Sequence, residues 1–106
     1  MATTIVIQGD NLGYDFKNAD GSIFDDNWYG KWAIMPGLGK PPTMEYDLER
    51  SADDLTFMFR LTPTLSTQLP VGSYVLVIEM SNDLLEYNQE LLQEPLKIAK
   101  QGIPRP

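Results

Sequence analysis

Apolar and polar residues alternate with a period of two through most of this chain before residue 81. No other feature constrains the fold as much, because such a face is buried by a strand and scattered around a helix. "LTFMFRL" sets Leu55, Phe57, Phe59 and Leu61 against Thr56, Met58 and Arg60, and "TMEYDLE" sets Met44, Tyr46 and Leu48 against Thr43, Glu45, Asp47 and Glu49. "LGYDF" places Leu12, Tyr14 and Phe16 on one face, and "NWYGKWAIM" puts Trp28, Trp32 and Ile34 on one side. With "TTIVIQ" (Thr3 to Gln8) and the β-branched, aromatic and aliphatic run Tyr74 to Ile78, six strands are expected before residue 81. Strands of this length between turn residues predict an all-β antiparallel sandwich or small barrel.

Turn chemistry divides the segments. "NADGS", Asn18 to Ser22, carries an Asp-Gly pair suited to a tight hairpin-like turn. "MPGLGKPP", Met35 to Pro42, is a long Pro/Gly-rich loop. Thr62 before Pro63 is an N-cap followed by proline at the first helical position, which predicts one short helical turn. "LPVGSYVLVIEM", Leu69 to Met80, is a turn feeding a strand. The segment after it reads two ways. Leu84, Tyr87, Leu91 and Leu92 form a helical stripe behind a Ser81 cap and before Pro95, and local periodicity favours that helix. The same residues also form a hairpin, with "SND" as the turn and Asn88, Glu90, Leu92, Glu94, Leu96 and Ile98 on one face of a final strand.

At 106 residues the chain has material for one domain with a modest core. It contains no cysteine and no histidine, so it lacks thiolate metal ligands, disulfides and the commonest general base. Its net charge of −7 repels phosphate backbones and anionic membranes, which argues against nucleic acid and membrane partners. Ten of its acids lie between Asp10 and Asp54, whereas Lys97, Lys100 and Arg105 mark a basic tail suited to contacting an acidic partner. "MATTIVIQGD" has neither the basic nor the apolar region of a signal peptide.

The candidate chemical sites are weak. Asp20 with Asp25 to Asn27 supplies oxygen ligands for Ca²⁺, but without the D-x-[DN]-x-[DN]-G spacing these read as solvated turn residues. Glu49, Asp53 and Asp54 read as surface charge rather than as a glycosidase pair, which needs a fixed separation across a cleft. Ser66, Ser73 and Lys97 lack a histidine and a nucleophile elbow. "GLGK" lacks the phosphate-loop spacing and runs into Pro41. Trp28, Tyr29 and Trp32 are a candidate aromatic platform for a sugar ring, although at least one tryptophan of the pair is expected in the core. No catalytic, cofactor or metal residue is assigned, and an enzyme is the least favoured class.

The succession "IVIQGDNLGYDFKNADGSIFDD", "DDLTFMFRLTPTLSTQLPVGSYVLVIEMSND" and "QEPLKIAKQG" resembles small phage and prophage structural domains. It is most similar to the immunoglobulin-like β-sandwiches found in the N-terminal domain of upper baseplate proteins and in short standalone virion proteins. The shared marks are Gly9-Asp10 closing the first strand, the Asp20-Gly21 turn, and the Leu69, Pro70, Gly72, Tyr74 element opening the penultimate strand. The chain departs from the pattern at "IFDDNWYG" and in the proline-rich "MPGLGKPP". The resemblance implies an immunoglobulin-like sandwich of about seven strands over residues 1–100, with 101–106 as an extended tail. It also implies a final strand, not a helix, over Glu86 to Ala99. The function it implies is that of a non-catalytic virion protein of the head, neck, tail or baseplate, oligomeric in the particle and bound to other virion proteins. A carbohydrate-binding module is the alternative. Tyr74, following a loop at the start of a sandwich strand, is expected to return its hydroxyl to the backbone at a corner between sheets.

Overall fold

The computed structural model describes residues 3–102. Eight strands and one helix occur among them: β1 (Thr4–Ile7), β2 (Leu12–Phe16), β3 (Trp28–Met35), β4 (Met44–Asp47), β5 (Glu49–Arg50), β6 (Phe57–Leu61), α1 (Pro63–Gln68), β7 (Gly72–Asn82) and β8 (Tyr87–Ala99). They form two sheets, one of order β1-β8-β7-β3-β4 and one of order β2-β6-β5. The protein is therefore a small all-β sandwich. Every pairing is antiparallel except β1 with β8, which run parallel with Thr4 opposite Leu96 and Ile7 opposite Ala99.

The core is where the alternating faces meet. Phe57, Phe59 and Leu61 of β6 lie opposite Trp32 and Ile34 of β3 and Leu76, Ile78 and Met80 of β7, all buried. Phe59 sits between two rings, stacked on Tyr14 at 5.9 Å and edge-on to Trp32 at 4.9 Å, an arrangement that suits the aromatic quadrupoles. Leu96 and Ile98 of β8 and Val6 of β1 extend the core beneath the parallel pair.

Three expectations are corrected. The "TMEYDLE" segment is not one strand: it leaves the larger sheet after Asp47, buries Leu48 at the corner, and enters the smaller sheet at Glu49, so Tyr46 is exposed. The Asp-Gly turn does form, with Gly21 at φ 77° donating its N–H to Asn18 O at 3.0 Å, but it joins no hairpin. It lies inside the long connection from β2 to β3, which belong to different sheets.

The third correction concerns Ser81 to Lys100. The helix favoured by local periodicity is absent, and β7 and β8 form a long antiparallel hairpin with Asn82 opposite Tyr87. Its register slips where Ile78 pairs with Leu92 and Glu79 with Glu90. Leu91 is thus the extra residue of a bulge, which places it on the same side as Leu92. The alternation resets there, so Tyr87 before the bulge, Leu91 within it and Leu92, Leu96 and Ile98 after it all face inward. Two adjacent leucines inside an otherwise alternating strand imitate a helical stripe. Four of the face partners assigned to that strand, Leu92, Glu94, Leu96 and Ile98, do share a side, while Asn88 and Glu90 face outward.

Helix α1 follows the Thr62 signal. The Thr62 hydroxyl accepts from Leu65 N–H at 3.2 Å, and Pro63 occupies the first turn, where its missing N–H leaves nothing unsatisfied. Ser66 within it is fully buried, donating to Asp10 O at 2.6 Å and accepting from Gly9 N–H at 3.0 Å. This serine ties the β1–β2 turn to the helix.

Candidate functional site

At the corner after α1, Leu69 is completely buried and its carbonyl accepts from Gln8 Nε2 at 2.8 Å. The Tyr74 hydroxyl donates to Pro70 O at 2.7 Å, bridging the loop that Gly72 ends. The hydrogen bond is exposed and only the ring is half-buried, which limits what it contributes. Tyr74→Phe is therefore expected to lower stability by about 1 kcal/mol, near the middle of the range for one neutral hydrogen bond. Urea denaturation should show this as a lower midpoint at unchanged slope; an unmoved midpoint would mean that water replaces the phenol at Pro70.

Trp28, Tyr29 and Trp32 do not make a platform, because strand alternation separates them. Trp28 and Trp32 face the interior, where Trp32 is 3% exposed, and Tyr29 faces the opposite side, 48% exposed, with its hydroxyl donating to Asp83 at 2.8 Å. That hydrogen bond raises the Tyr29 pKa above its ordinary value. Lys97 is exposed on the outer face of β8 opposite Ser73, and Lys100 is exposed just beyond the strand. Arg105 and most of the 101–106 tail lie outside the described residues.

One groove lies between the sheets at the end carrying the β2–β3 connection and the β7–β8 hairpin. It has a volume of about 390 Å³ and an apolar floor of Phe16, Phe24, Trp28, Met80, Tyr87 and Leu91. Trp28 packs edge-on against Tyr87 at 5.2 Å and against Phe24 at 6.0 Å, and both Trp28 and Tyr87 stay half-buried. Lys17, Asn18 and Ala19 form its rim. A second groove of about 310 Å³ lies between β4 and β6, with Trp32 and Tyr46 beside Asp47, Glu49 and Arg60. Both have the aromatic floor and polar rim of a recognition surface.

Arg50 fastens the segment that carries Phe24 and Trp28 into the first groove. Its guanidinium donates to three backbone carbonyls, Phe24 O at 2.6 Å and Asp25 O at 2.9 Å in the β2–β3 connection and Trp28 O at 2.7 Å at the start of β3. It also lies over the Phe57 ring at 4.7 Å and faces Asp54 at 3.4 Å. A planar fork of donors suits several carbonyls at once, which a lysine cannot match. Nothing local in "LERSADD" announces this role, since the carbonyls come from a loop more than twenty positions earlier.

Glu94 is the other residue that the sequence patterns left unexplained. It points inward from β8 and accepts the Tyr14 hydroxyl at 2.8 Å and the Thr4 hydroxyl, joining β8 to the strands on either side of the sandwich edge. Burial and this carboxylate push the Tyr14 phenol above its ordinary pKa. Around the turns, Asp20 is held below its usual range by Ser22 and Asp53 by Ser51, each carboxylate accepting from a neighbour two residues away. These contacts explain the acids of the two turns as turn-formers. No protein-family model matches the chain, and no curated protein matches it.

Proposed function

We propose that this chain is a non-catalytic assembly module, with immunoglobulin-like topology, that serves as an accessory protein of a phage or phage-like particle. The topology reading is supported by the strand order. The smaller sheet has the order expected for strands B, E and D, the larger one contains C, F and G with β4 added beside C and β1 beside G, and a tyrosine opens the penultimate strand. The virion reading rests on the sequence resemblance.

The observation that carries the assembly reading is the open edge at β1. Its four residues, "TIVI", include no charge and no proline, and Ile5 is 63% exposed. Natural sandwiches ordinarily blunt such edges, because unpaired N–H and C=O groups template another strand. The opposite edge, β4, is guarded by exposed Glu45 and Asp47. One unguarded edge with the opposite edge guarded suits a single added strand from a partner protein. Mass spectrometry of purified particles from the source is expected to find the protein in stoichiometric amount with the other virion components. Its absence from particles that carry their full protein set would sink the proposal.

A further inference from the structure

We propose that the protein binds a second copy of itself head to tail, with the Ile103-Pro104-Arg105-Pro106 segment of one chain seated in the Trp28–Tyr87 groove of the next. The first observation is a polarity between the two ends of the sandwich. The three loops at the groove end, residues 17–27, 51–56 and 83–86, hold Asp20, Asp25, Asp26, Asp53, Asp54, Asp83 and Glu86 against one cation, Lys17. Arg50 at the base of these loops is turned to its carbonyls and to Asp54. The connections at the other end, residues 8–11, 36–43 and 62–71, hold Lys40 against one carboxylate, Asp10, and the chain leaving β8 there carries Lys100 and then, outside the described residues, Arg105. Opposite charge on opposite ends favours stacking in one direction and disfavours like-to-like contact.

The second observation is chemical fit. The groove floor is aromatic, with Trp28 and Tyr87 half-buried and edge-on to each other, and its rim, Lys17 to Ala19, opens the connection that carries Asp20, Asp25 and Asp26. A short Pro-x-Pro segment is matched to such a surface, because proline rings pack on aromatic faces and a proline-rich chain loses little entropy on docking. Arg105 between two prolines would meet the carboxylates of that connection, which begin at Asp20 just past the rim.

The third observation is reach. β8 has 13 residues, so it carries the chain about 40 Å from Tyr87 at the groove to Ala99 at the far end, in a molecule 45 Å long. Four residues past Ala99, Ile103 can lie no more than about 14 Å from it. The segment therefore cannot cover its own Trp28 and Tyr87, and only another copy presents them to it. The contact is heterologous, so it closes into a ring or propagates as a fibre according to the rotation between copies.

The test uses two full-length variants and pure protein, so it succeeds or fails independently of particle membership. Arg105→Glu spoils the segment and leaves the groove intact. Ala19→Arg places a cation at an exposed position on the groove rim and leaves the segment intact. In sedimentation velocity over a concentration series, wild-type protein is expected to self-associate and to do so less as salt rises. Each variant alone should associate about tenfold more weakly or not at all, as like charges are brought together. Mixed, the two should form a one-to-one heterodimer, because each supplies the half that the other lacks. A wild-type chain that stays monomeric, variants that associate as the wild type does, or a mixture that forms no heterodimer would each overturn the proposal.

Discussion

Replacing Arg50 with methionine is expected to lower the stability of this domain by about 3 kcal/mol, although the residue lies on a two-residue strand at a sheet edge. Methionine keeps most of the aliphatic stem and can still pack on Phe57, so little apolar contact is lost. What is lost is the donor to Phe24 O, Asp25 O and Trp28 O. Each bond to a charged donor is worth roughly 1.5–3 kcal/mol, offset by release of the guanidinium from a partly desolvated site, so three bonds do not sum in full. For a domain of this size the melting temperature should fall by roughly 15 °C. Arg50→Lys should recover only a minor part, since one ammonium cannot span three carbonyls. Thermal and urea denaturation of both variants check this. A methionine variant as stable as the wild type would show that water satisfies the loop carbonyls equally well.

Gly30→Ala is the second large effect, and its direction reverses the usual one. Replacing glycine within a strand ordinarily stabilises by reducing the freedom of the unfolded chain, by about 0.4–1 kcal/mol. Gly30, however, lies in the middle of β3, paired with Met80 and buried beneath Leu48. A Cβ there would collide with the Leu48 methyl and stand 2.8 Å from Glu79 O, a backbone atom of the adjacent strand. Leu48 has little room to yield, because its own N–H donates to Gly30 O at 2.9 Å and fixes the corner where the chain changes sheets. Overpacking of this kind should cost about 2–3 kcal/mol. Equilibrium denaturation measures it, and a variant more stable than the wild type would mean that the corner relaxes to accommodate the methyl.

The two residues differ from the strand cores in how they could be read. β2, β3 and β6 were legible because their inward residues repeat every second position and the partner sheet asks only for an apolar face. The same alternation already separated Tyr29 from Trp28 and Trp32, so the failure of the aromatic platform was available in "NWYGKWAIM". β8 was illegible locally because the bulge at Leu91 breaks the period that identifies a strand. Glu94 spoiled the pattern for a different reason: a carboxylate can face inward when Tyr14 and Thr4 supply donors, and those donors come from strands about eighty and ninety positions away. Arg50 and the grooves depend likewise on which loops the topology brings together. A local pattern holds the identity of a strand but not of its neighbours.

The parallel pairing of β1 with β8 has a mechanical consequence. The chain enters the fold at the start of β1 and leaves it at the end of β8, and these strands lie side by side pointing the same way. Tension applied through the two termini draws them past each other lengthwise. The ladder from Thr4–Leu96 to Ile7–Ala99, with Gln8 N–H on Ala99 O at 2.9 Å, is then loaded in shear, all its bonds at once. An antiparallel terminal pair would peel open one bond at a time under the same pull. Resistance of this kind is governed by the rate of unfolding rather than by the equilibrium stability. A module anchored at both ends would transmit sustained tension through this short seam before any of the core is exposed.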